Sequence, residues 1–127
     1  MGRINISIRG RNIDLTDAVE DYARKKIDML EKHISAPEDA GIFAHVELGK
    51  EVRDQMSGDI FVAVIDLDIA GEVHHVESER GDLYAAIDEM RDEVMRVLKR
   101  SQGKRRDLFR RGALRIKEMI RGLSNRG

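Results

Sequence analysis

Apolar and polar residues alternate with a two-residue period in several segments of the chain. Residues 3–9 place three isoleucines on one face, which predicts a half-buried strand. Residues 42–48 repeat this pattern, and residues 59–80 contain two alternating runs joined at residues 70–72. Two such runs with a short connection predict a β-hairpin. The pattern therefore predicts four strands.

Two other segments have the three- or four-residue apolar spacing of an amphipathic helix. The first begins after Thr16, a favourable N-cap, and is expected to run to about Ser35, before Pro37. The second lies within residues 82–106. Its apolar stripe consists of Leu83, Ile87, Met90, Val94 and Leu98. Residues 49–58 have no apolar periodicity and are expected to form a loop.

The predicted order is β-α-β-β-β-α, an α+β fold with a four-stranded sheet and both helices packed on one face. The character of the chain changes at Gly103, where apolar residues at helical spacing are surrounded by many bases. We therefore predict a domain over residues 1–102 and a basic amphipathic helical tail over residues 103–127. An isolated helix of this length is marginal in water, so its apolar face is expected to dock on something.

Composition adds a division of charge to this picture. A chain of 127 residues with 41% hydrophobic residues suits one small domain. Residues 1–100 carry 14 basic and 22 acidic residues, a net charge of −8, whereas residues 101–127 carry nine basic and two acidic residues, a net of +7. The basic tail indicates a polyanion or an acidic surface as its partner.

Sequence features also exclude several classes of function. The absence of cysteine excludes disulfides and thiolate chemistry. No apolar run reaches the ~18 residues of a membrane span, and the first ten residues lack the apolar stretch of a signal peptide. We therefore expect a cytoplasmic protein with no membrane partner.

Candidate catalytic and metal-binding patterns have simpler explanations. His74 and His75 are adjacent on a predicted strand, so they point to opposite faces and do not chelate one ion together. Asp66 and Asp68 share a strand face and suit a solvent-facing strand that discourages edge pairing. Phosphate-loop and dinucleotide patterns are absent from the sequence. The expectation is a binding protein without enzymatic activity, cofactor, metal or small-molecule substrate.

Structured RNA is the polyanion that fits these features. Only five aromatic residues are present, and Phe43 and Phe61 are the only ones on predicted strands, which argues against base stacking on the sheet. Folds that recognise RNA by shape place lysine and arginine from helices against phosphates. An alternative explanation is that these bases form i,i+4 pairs with acids on solvated helices. The three such pairs are Asp21–Lys25, Asp28–Lys32 and Asp92–Arg96.

Three stretches of the chain resemble the ribosome hibernation promoting factors, also called ribosome-associated inhibitor A or subunit interface proteins. They read NISIRGRNIDLTDAVEDYARKKIDMLEKH, GDIFVAVIDLDIAG and, most specifically, DLYAAIDEMRDEV. The likeness covers roughly residues 3–106. It implies a fold similar to double-stranded-RNA-binding domains. It also implies a protein that occupies the decoding region of the small ribosomal subunit, where messenger and transfer RNA bind, and keeps idle ribosomes inactive and preserved under stress.

The resemblance implies contacts with 16S-type rRNA and neighbouring ribosomal proteins. The family's basic helix positions correspond to Lys25 or Lys26 and to a second group in and after the last helix. The full set of candidate rRNA-binding residues is Arg24, Lys25, Lys26, Lys32, Arg96, Lys99, Arg100, Lys104, Arg105, Arg106, Arg110, Arg111 and Arg115. The last five are expected to contribute if the tail extends the RNA footprint rather than docking on its own domain.

Long members of this family carry a further domain that couples two ribosomes, and nothing after Gly103 resembles it. A short form with a basic extension is therefore predicted, and self-association stays open. Two alternative functions also stay open. One is a protein-interaction module of the sigma-factor modulator type, and the other is a peripheral membrane binder that uses the tail helix.

Overall fold

The computed structural model describes residues 3–51 and 58–124, with side chains described as far as residue 103. Its elements confirm the predicted order. They are β1 (Asn5–Arg11), α1 (Asp17–Asp28), a 3₁₀ turn (Glu31–His33), β2 (Ile42–Glu51), β3 (Ile60–Ile69), β4 (Glu72–Arg80) and α2 (Leu83–Ser124). The described residues therefore form the α+β fold that the hydrophobic pattern predicts.

The four strands form one sheet in the order β1-β2-β3-β4. β1 is parallel to β2, and the other neighbours are antiparallel. Alternate side chains of every strand enter one core together with the apolar stripes of α1 and α2. Ile27 of α1, Ile65 of β3 and Ile87 of α2 are fully buried there. Both helices thus cover one face of the sheet, as predicted, and the opposite face is left open.

The predicted hairpin joins β3 to β4 through Ala70 and Gly71. Both residues have positive φ angles, 51° and 90°, as the favoured two-residue hairpin turns require. The backbone N–H of Gly71 donates to the Asp68 carboxylate at 2.8 Å. Glycine at this position therefore fits both the backbone conformation and the tight connection.

β2 is longer than the alternation predicts, because it continues through Gly49 to Glu51. The prediction that the loop starts at residue 49 is therefore wrong. Gly49 pairs with Arg11 of β1, and a Cβ atom at Gly49 would lie 1.9 Å from the Arg11 carbonyl oxygen. The missing side chain lets the two strands approach while it interrupts the apolar pattern. The rest of the predicted loop, residues 52–57, lies outside the described residues.

α1 ends earlier than predicted, at Asp28 rather than near Ser35. Its start is confirmed, since the Thr16 hydroxyl accepts from the backbone N–H of Val19 at 3.2 Å. Beyond Asp28 the backbone tightens, and Leu30 donates to the Ile27 carbonyl at 2.9 Å. Leu30 is still buried, so the 3₁₀ turn serves the apolar stripe that suggested a longer helix.

α2 continues from Leu83 to Ser124 without a break at Gly103. Its 42 residues span about 63 Å at the α-helical rise of 1.5 Å per residue. Leu98 is the last buried residue among the described side chains. The division into a domain over residues 1–102 and a tail over residues 103–127 stays a prediction, but the backbone joins the two as one helix. Within the described part of the chain, no helix combines the length and apolarity needed to cross a membrane.

Candidate nucleic-acid interface

A groove of about 390 Å³ lies where the end of α1 and the 3₁₀ turn meet α2. We call it the helix groove. It is lined by Met29, Lys32, His33, Arg91, Asp92, Met95, Arg96 and Lys99. Three lysine and arginine side chains from α2 and one lysine from the 3₁₀ turn converge here, against a single carboxylate. The groove thus gathers positive charge on a body whose net charge is negative.

Helical spacing builds the α2 side of the groove. Arg91, Met95 and Lys99 follow one another at intervals of four residues, so they lie on one face of α2. The other side is fixed by the 3₁₀ turn, because the Gln102 side-chain amide donates to the carbonyl of His33. This contact joins residues 69 positions apart. The groove is therefore a tertiary feature that no single helix provides.

Arg91 is the most constrained basic side chain in the helix groove. Its Nε and Nη2 atoms donate to Oδ1 of Asp92 at 3.1 and 2.8 Å. Its Nη1 atom donates to the Met29 sulfur at 3.8 Å. Only 22% of the Arg91 side chain is exposed. Sequence analysis missed this residue, although its four-residue spacing to Met95 and Lys99 was the signal that indicates a shared face.

Three predicted rRNA-binding residues line the groove together, namely Lys32, Arg96 and Lys99. All three are exposed. Arg96 donates to the Glu93 carboxylate at 2.5 Å, and Arg100 lies 3.9 Å from the same carboxylate. Arg100 is exposed beside the groove but does not line it. The structure thus brings together candidates that lie more than 60 residues apart in the chain.

The predicted residues of α1 lie elsewhere. Arg24 and Lys25 are exposed, and Arg24 donates to the Ile6 carbonyl at 3.4 Å. Neither residue lines the helix groove. Both side chains are therefore accessible outside the helix groove, and Arg24 reaches β1 through its hydrogen bond to Ile6.

Lys26 is held by contacts between the two helices. Its Nζ atom lies 3.5 Å from an Asp88 carboxylate oxygen and 5.1 Å from the centre of the Tyr22 ring. The Tyr22 hydroxyl donates to the same carboxylate at 2.6 Å, and this hydrogen bond raises the pKa of Tyr22. Tyr22 also packs edge-on against Tyr84, with ring centres 4.9 Å apart. Lys26 therefore joins α1 to α2 and offers less free charge than its neighbours.

The remaining candidates belong to the last part of α2. Their side chains lie outside the described residues, so their contribution stays a prediction. They are Lys104, Arg105, Arg106, Arg110, Arg111 and Arg115.

Ion pairs among the described residues differ from the i,i+4 pairs considered in the sequence. Asp92 pairs with Arg91 at 2.8 Å, and Arg96 pairs with Glu93 at 2.5 Å. Neither Lys25 nor Lys32 has an ion-pair partner within the described part of the chain. Charge pairing therefore does not account for Lys25 on α1 or Lys32 on the 3₁₀ turn.

The open face of the sheet has the opposite charge. Outward positions of β2, β3 and β4 carry six carboxylates: Glu47, Glu51, Asp66, Asp68, Glu77 and Glu79. On β1, Arg9 and Arg11 both pair with Glu47, and the Arg11 guanidinium lowers the pKa of that carboxyl. Polyanion binding is therefore favoured at the helix groove and disfavoured on the open sheet face.

The two adjacent histidines point to opposite sides of β4, as predicted. Accordingly, His75 is exposed and His74 is half-buried. His75 Nδ1 lies 2.5 Å from Asp66 Oδ1, and Nε2 lies 3.1 Å from Glu77 Oε1. The described residues contain no group of three or more potential ligands placed to hold a metal ion. His75 and its two carboxylates are best understood as a charge cluster on the open face.

This cluster predicts a specific pH dependence of stability. The hydrogen bonds to Asp66 and then Glu77 raise the pKa of His75. Protonated His75 therefore stabilises the folded chain fully below the unfolded pKa of about 6.5, and this stabilisation is lost as pH rises through the folded pKa. Urea unfolding of wild type and His75→Gln across this interval is expected to show a difference in unfolding free energy that shrinks with rising pH. A difference independent of pH would contradict the assignment.

Comparison with known proteins gives matches over most of the chain. The sequence profile described as "Sigma 54 modulation protein / S30EA ribosomal protein" matches residues 6–106. The Ribosome hibernation promotion factor of Bacillus subtilis is 27% identical over 107 residues, which are 84% of this chain and 53% of that protein. The Ribosome hibernation promoting factor of Azotobacter vinelandii is 30% identical over 95 residues, which are 75% of this chain and 79% of that protein.

Solved structures agree with the fold. The N-terminal domain of Thermus thermophilus Protein Y matches with a TM-score of 0.60 and 36% identity, covering 79% of this chain and 98% of that domain. A ribosomal subunit interface protein from Coxiella burnetii has the same TM-score of 0.60 at 15% identity, covering 78% of this chain and 98% of that one. The second likeness concerns the fold alone.

Proposed function

The chain belongs to the Sigma 54 modulation protein / S30EA ribosomal protein family, and on that premise we propose that it binds the small ribosomal subunit and holds idle ribosomes inactive. The family resemblance inferred from the three sequence stretches is confirmed. Both relatives described above are named for ribosome hibernation. The chain spans 53% of the length of the Bacillus subtilis protein, so activities of that whole protein enter here as proposals.

The proposed site is the decoding region, where the protein would exclude messenger and transfer RNA. The observation that carries this proposal is the convergence of Lys32, Arg96 and Lys99 in the helix groove. Structured RNA presents phosphates and ribose hydroxyls to protein surfaces, and helix-borne bases recognise it mainly by shape. Messenger RNA and transfer RNA could not occupy the same rRNA surface while the protein is bound there.

The distribution of charge supports one orientation on the subunit. The helix groove is basic, whereas the open face of the sheet carries six outward carboxylates. The helix groove and the open face of the sheet thus differ in the sign of their charge, and a charge asymmetry of this kind steers association with a polyanion. We propose that the helical layer faces rRNA and that the open face of the sheet points away from it. The protein would act in the cytoplasm, where ribosomes translate.

Cosedimentation with purified small subunits over a salt series tests this proposal. Saturable binding is expected, with an affinity that falls as salt rises, because each phosphate contact releases counterions. Prior loading of the subunits with messenger and transfer RNA is expected to prevent the protein from binding.

Other outcomes discriminate between functions. Binding that persists unchanged in the presence of messenger and transfer RNA would place the protein outside the decoding region. A lack of cosedimentation at every salt concentration would refute ribosome binding. Tight, salt-independent capture of a protein partner would then favour the sigma-factor modulator type of function, and pelleting with anionic vesicles would favour membrane binding.

A further inference from the structure

We propose that the helix groove holds one unpaired rRNA nucleobase, stacked on the guanidinium of Arg91 beside Met29 and Met95. This inference rests on the proposed function and specifies what the groove binds. It adds a base contact to a surface that otherwise offers only charge. The experiment below separates a failure of the base contact from a failure of ribosome binding.

Arg91 has the geometry of a stacking platform. Two of its N–H groups donate to one Asp92 oxygen, and a third donates to the Met29 sulfur. A guanidinium held from both sides loses little conformational freedom when a ligand arrives. Planar guanidinium groups stack on aromatic rings and on unpaired RNA bases, which lysine cannot do. The Asp92 carboxylate also offsets the charge of Arg91, so this arginine is less suited to phosphate binding than Lys32, which has no ion-pair partner among the described residues.

Two methionines give the groove an apolar component. Met29 is 47% exposed at the end of α1, and Met95 lies one helical turn beyond Arg91. Thioether side chains adapt their shape and make favourable contacts with aromatic rings. The groove volume of about 390 Å³ lies within the range of about 300–1,000 Å³ typical of small-ligand sites. An apolar surface inside a basic groove suits a flat base better than it suits a phosphate.

The remaining basic side chains of the groove surround this apolar part. Lys32, Arg96 and Lys99 are exposed, so they can reach the phosphates on either side of an inserted base. Sites for single-stranded nucleic acid combine a stacking surface with a basic track in this manner. The scarcity of aromatic residues on the sheet therefore does not prevent base stacking, because arginine and methionine provide the surface on the helical layer.

A matched pair of conservative variants tests the inference. Arg91→Lys keeps the charge but removes the planar group, and Arg9→Lys makes the same chemical change at an exposed arginine of the open sheet face that does not line the helix groove. We expect Arg91→Lys to lower the affinity for small subunits about tenfold, in line with the effect of losing one stacked base. Its salt dependence is expected to match that of wild type, since no charge is lost. Arg9→Lys is expected to stay within about twofold of wild type.

Dimethyl sulfate probing of rRNA gives a second readout that a purely structural effect would not produce. At saturating protein, at least one unpaired rRNA base protected by wild type and by Arg9→Lys is expected to become reactive with Arg91→Lys. Met29→Gln, at a position that is 47% exposed, is expected to weaken the same protection.

The outcomes are distinguishable. Wild-type affinity and protection in both Arg91→Lys and Met29→Gln would overturn the base contact and leave ribosome binding intact. Absence of wild-type binding to small subunits would overturn the proposed function, and the base contact with it. Thermal unfolding of each variant confirms that the compared proteins are folded.

Discussion

Replacing Lys32, Arg96 and Lys99 together with glutamine is expected to lower the affinity for small ribosomal subunits by about two orders of magnitude near physiological salt. Each residue is exposed and lines the helix groove, so each is placed to contact a phosphate. The slope of log affinity against log salt is negative, and each lost phosphate contact reduces its magnitude by slightly less than one. The triple variant is therefore expected to lose two to three units of this slope, and cosedimentation over a salt series measures both effects.

A control with the same change in charge comes from other parts of the chain. Arg9, Lys50 and Arg80 pair with Glu47, Asp59 and Glu89, and none of them lines the helix groove. Their triple replacement with glutamine lowers the net charge by the same three units. We expect this control to keep nearly the wild-type affinity and slope. Equal losses in the two triple variants would show that net charge alone drives binding, which would contradict a defined site on the helical layer.

Strand and helix identity could be predicted because the core demands a strict periodicity. Ile42, Ala44, Val46 and Leu48 alternate because one sheet face is buried, and the prediction for this strand is confirmed. Gly49 shows the limit of this reasoning. Glycine occupies this position of β2 because β1 approaches so closely that a Cβ atom would overlap the Arg11 carbonyl. That requirement arises from the pairing of two strands, so local alternation does not reveal it.

The end of α1 shows a second limit. An apolar stripe through Leu30 and Ile34 fits a longer α-helix, yet a 3₁₀ turn also brings both residues into the core. Periodicity reports which side chains are buried and not which hydrogen-bonding pattern buries them. The turn also bears on the proposed site, because it places Lys32 opposite α2 at the helix groove.

The helix groove could be predicted only in part. Arg96 and Lys99 were predicted because they lie on the solvent face of an amphipathic helix. Their meeting with Lys32 depends on how α1 and α2 pack, which one sequence without the fold does not specify. Arg91 was missed because it borders the apolar stripe, where a base usually serves only to cover the core. Its pairing with Asp92 also replaces the predicted pair between Asp92 and Arg96.

The segregation of charge connects the fold to the proposed function. The core uses one sheet face and leaves the other exposed, so carboxylates at alternate positions of β2, β3 and β4 gather on the open face without any cost to packing. Bases on the helical layer then lie far from most of these carboxylates. A body with a net charge of −8 over residues 1–100 can in this way still present a basic surface to RNA.

Deletion of residues 104–127 from the wild-type protein is expected to lower the affinity for small subunits at least tenfold and to make this affinity less dependent on salt. The deleted segment contains nine basic and two acidic residues. Its backbone as far as Ser124 continues α2, so these bases begin within two turns of Lys99 in the helix groove. We therefore expect the tail to extend the same RNA footprint. Unchanged affinity would show that the tail does not contact rRNA.

Gly103→Pro separates the position of the tail from its charge. Proline removes the N–H at residue 103 and clashes with the carbonyl of Lys99, which kinks or breaks a helix. All basic residues of the tail are retained in this variant. We still expect it to lose most of the affinity that the deletion loses, because the tail no longer continues the axis of α2. Gly103→Ala, which favours the helix by about 1 kcal/mol, is the control and is expected to bind like wild type. If Gly103→Pro binds like wild type while the deletion does not, the tail acts through its charge and a continuous helix is not required.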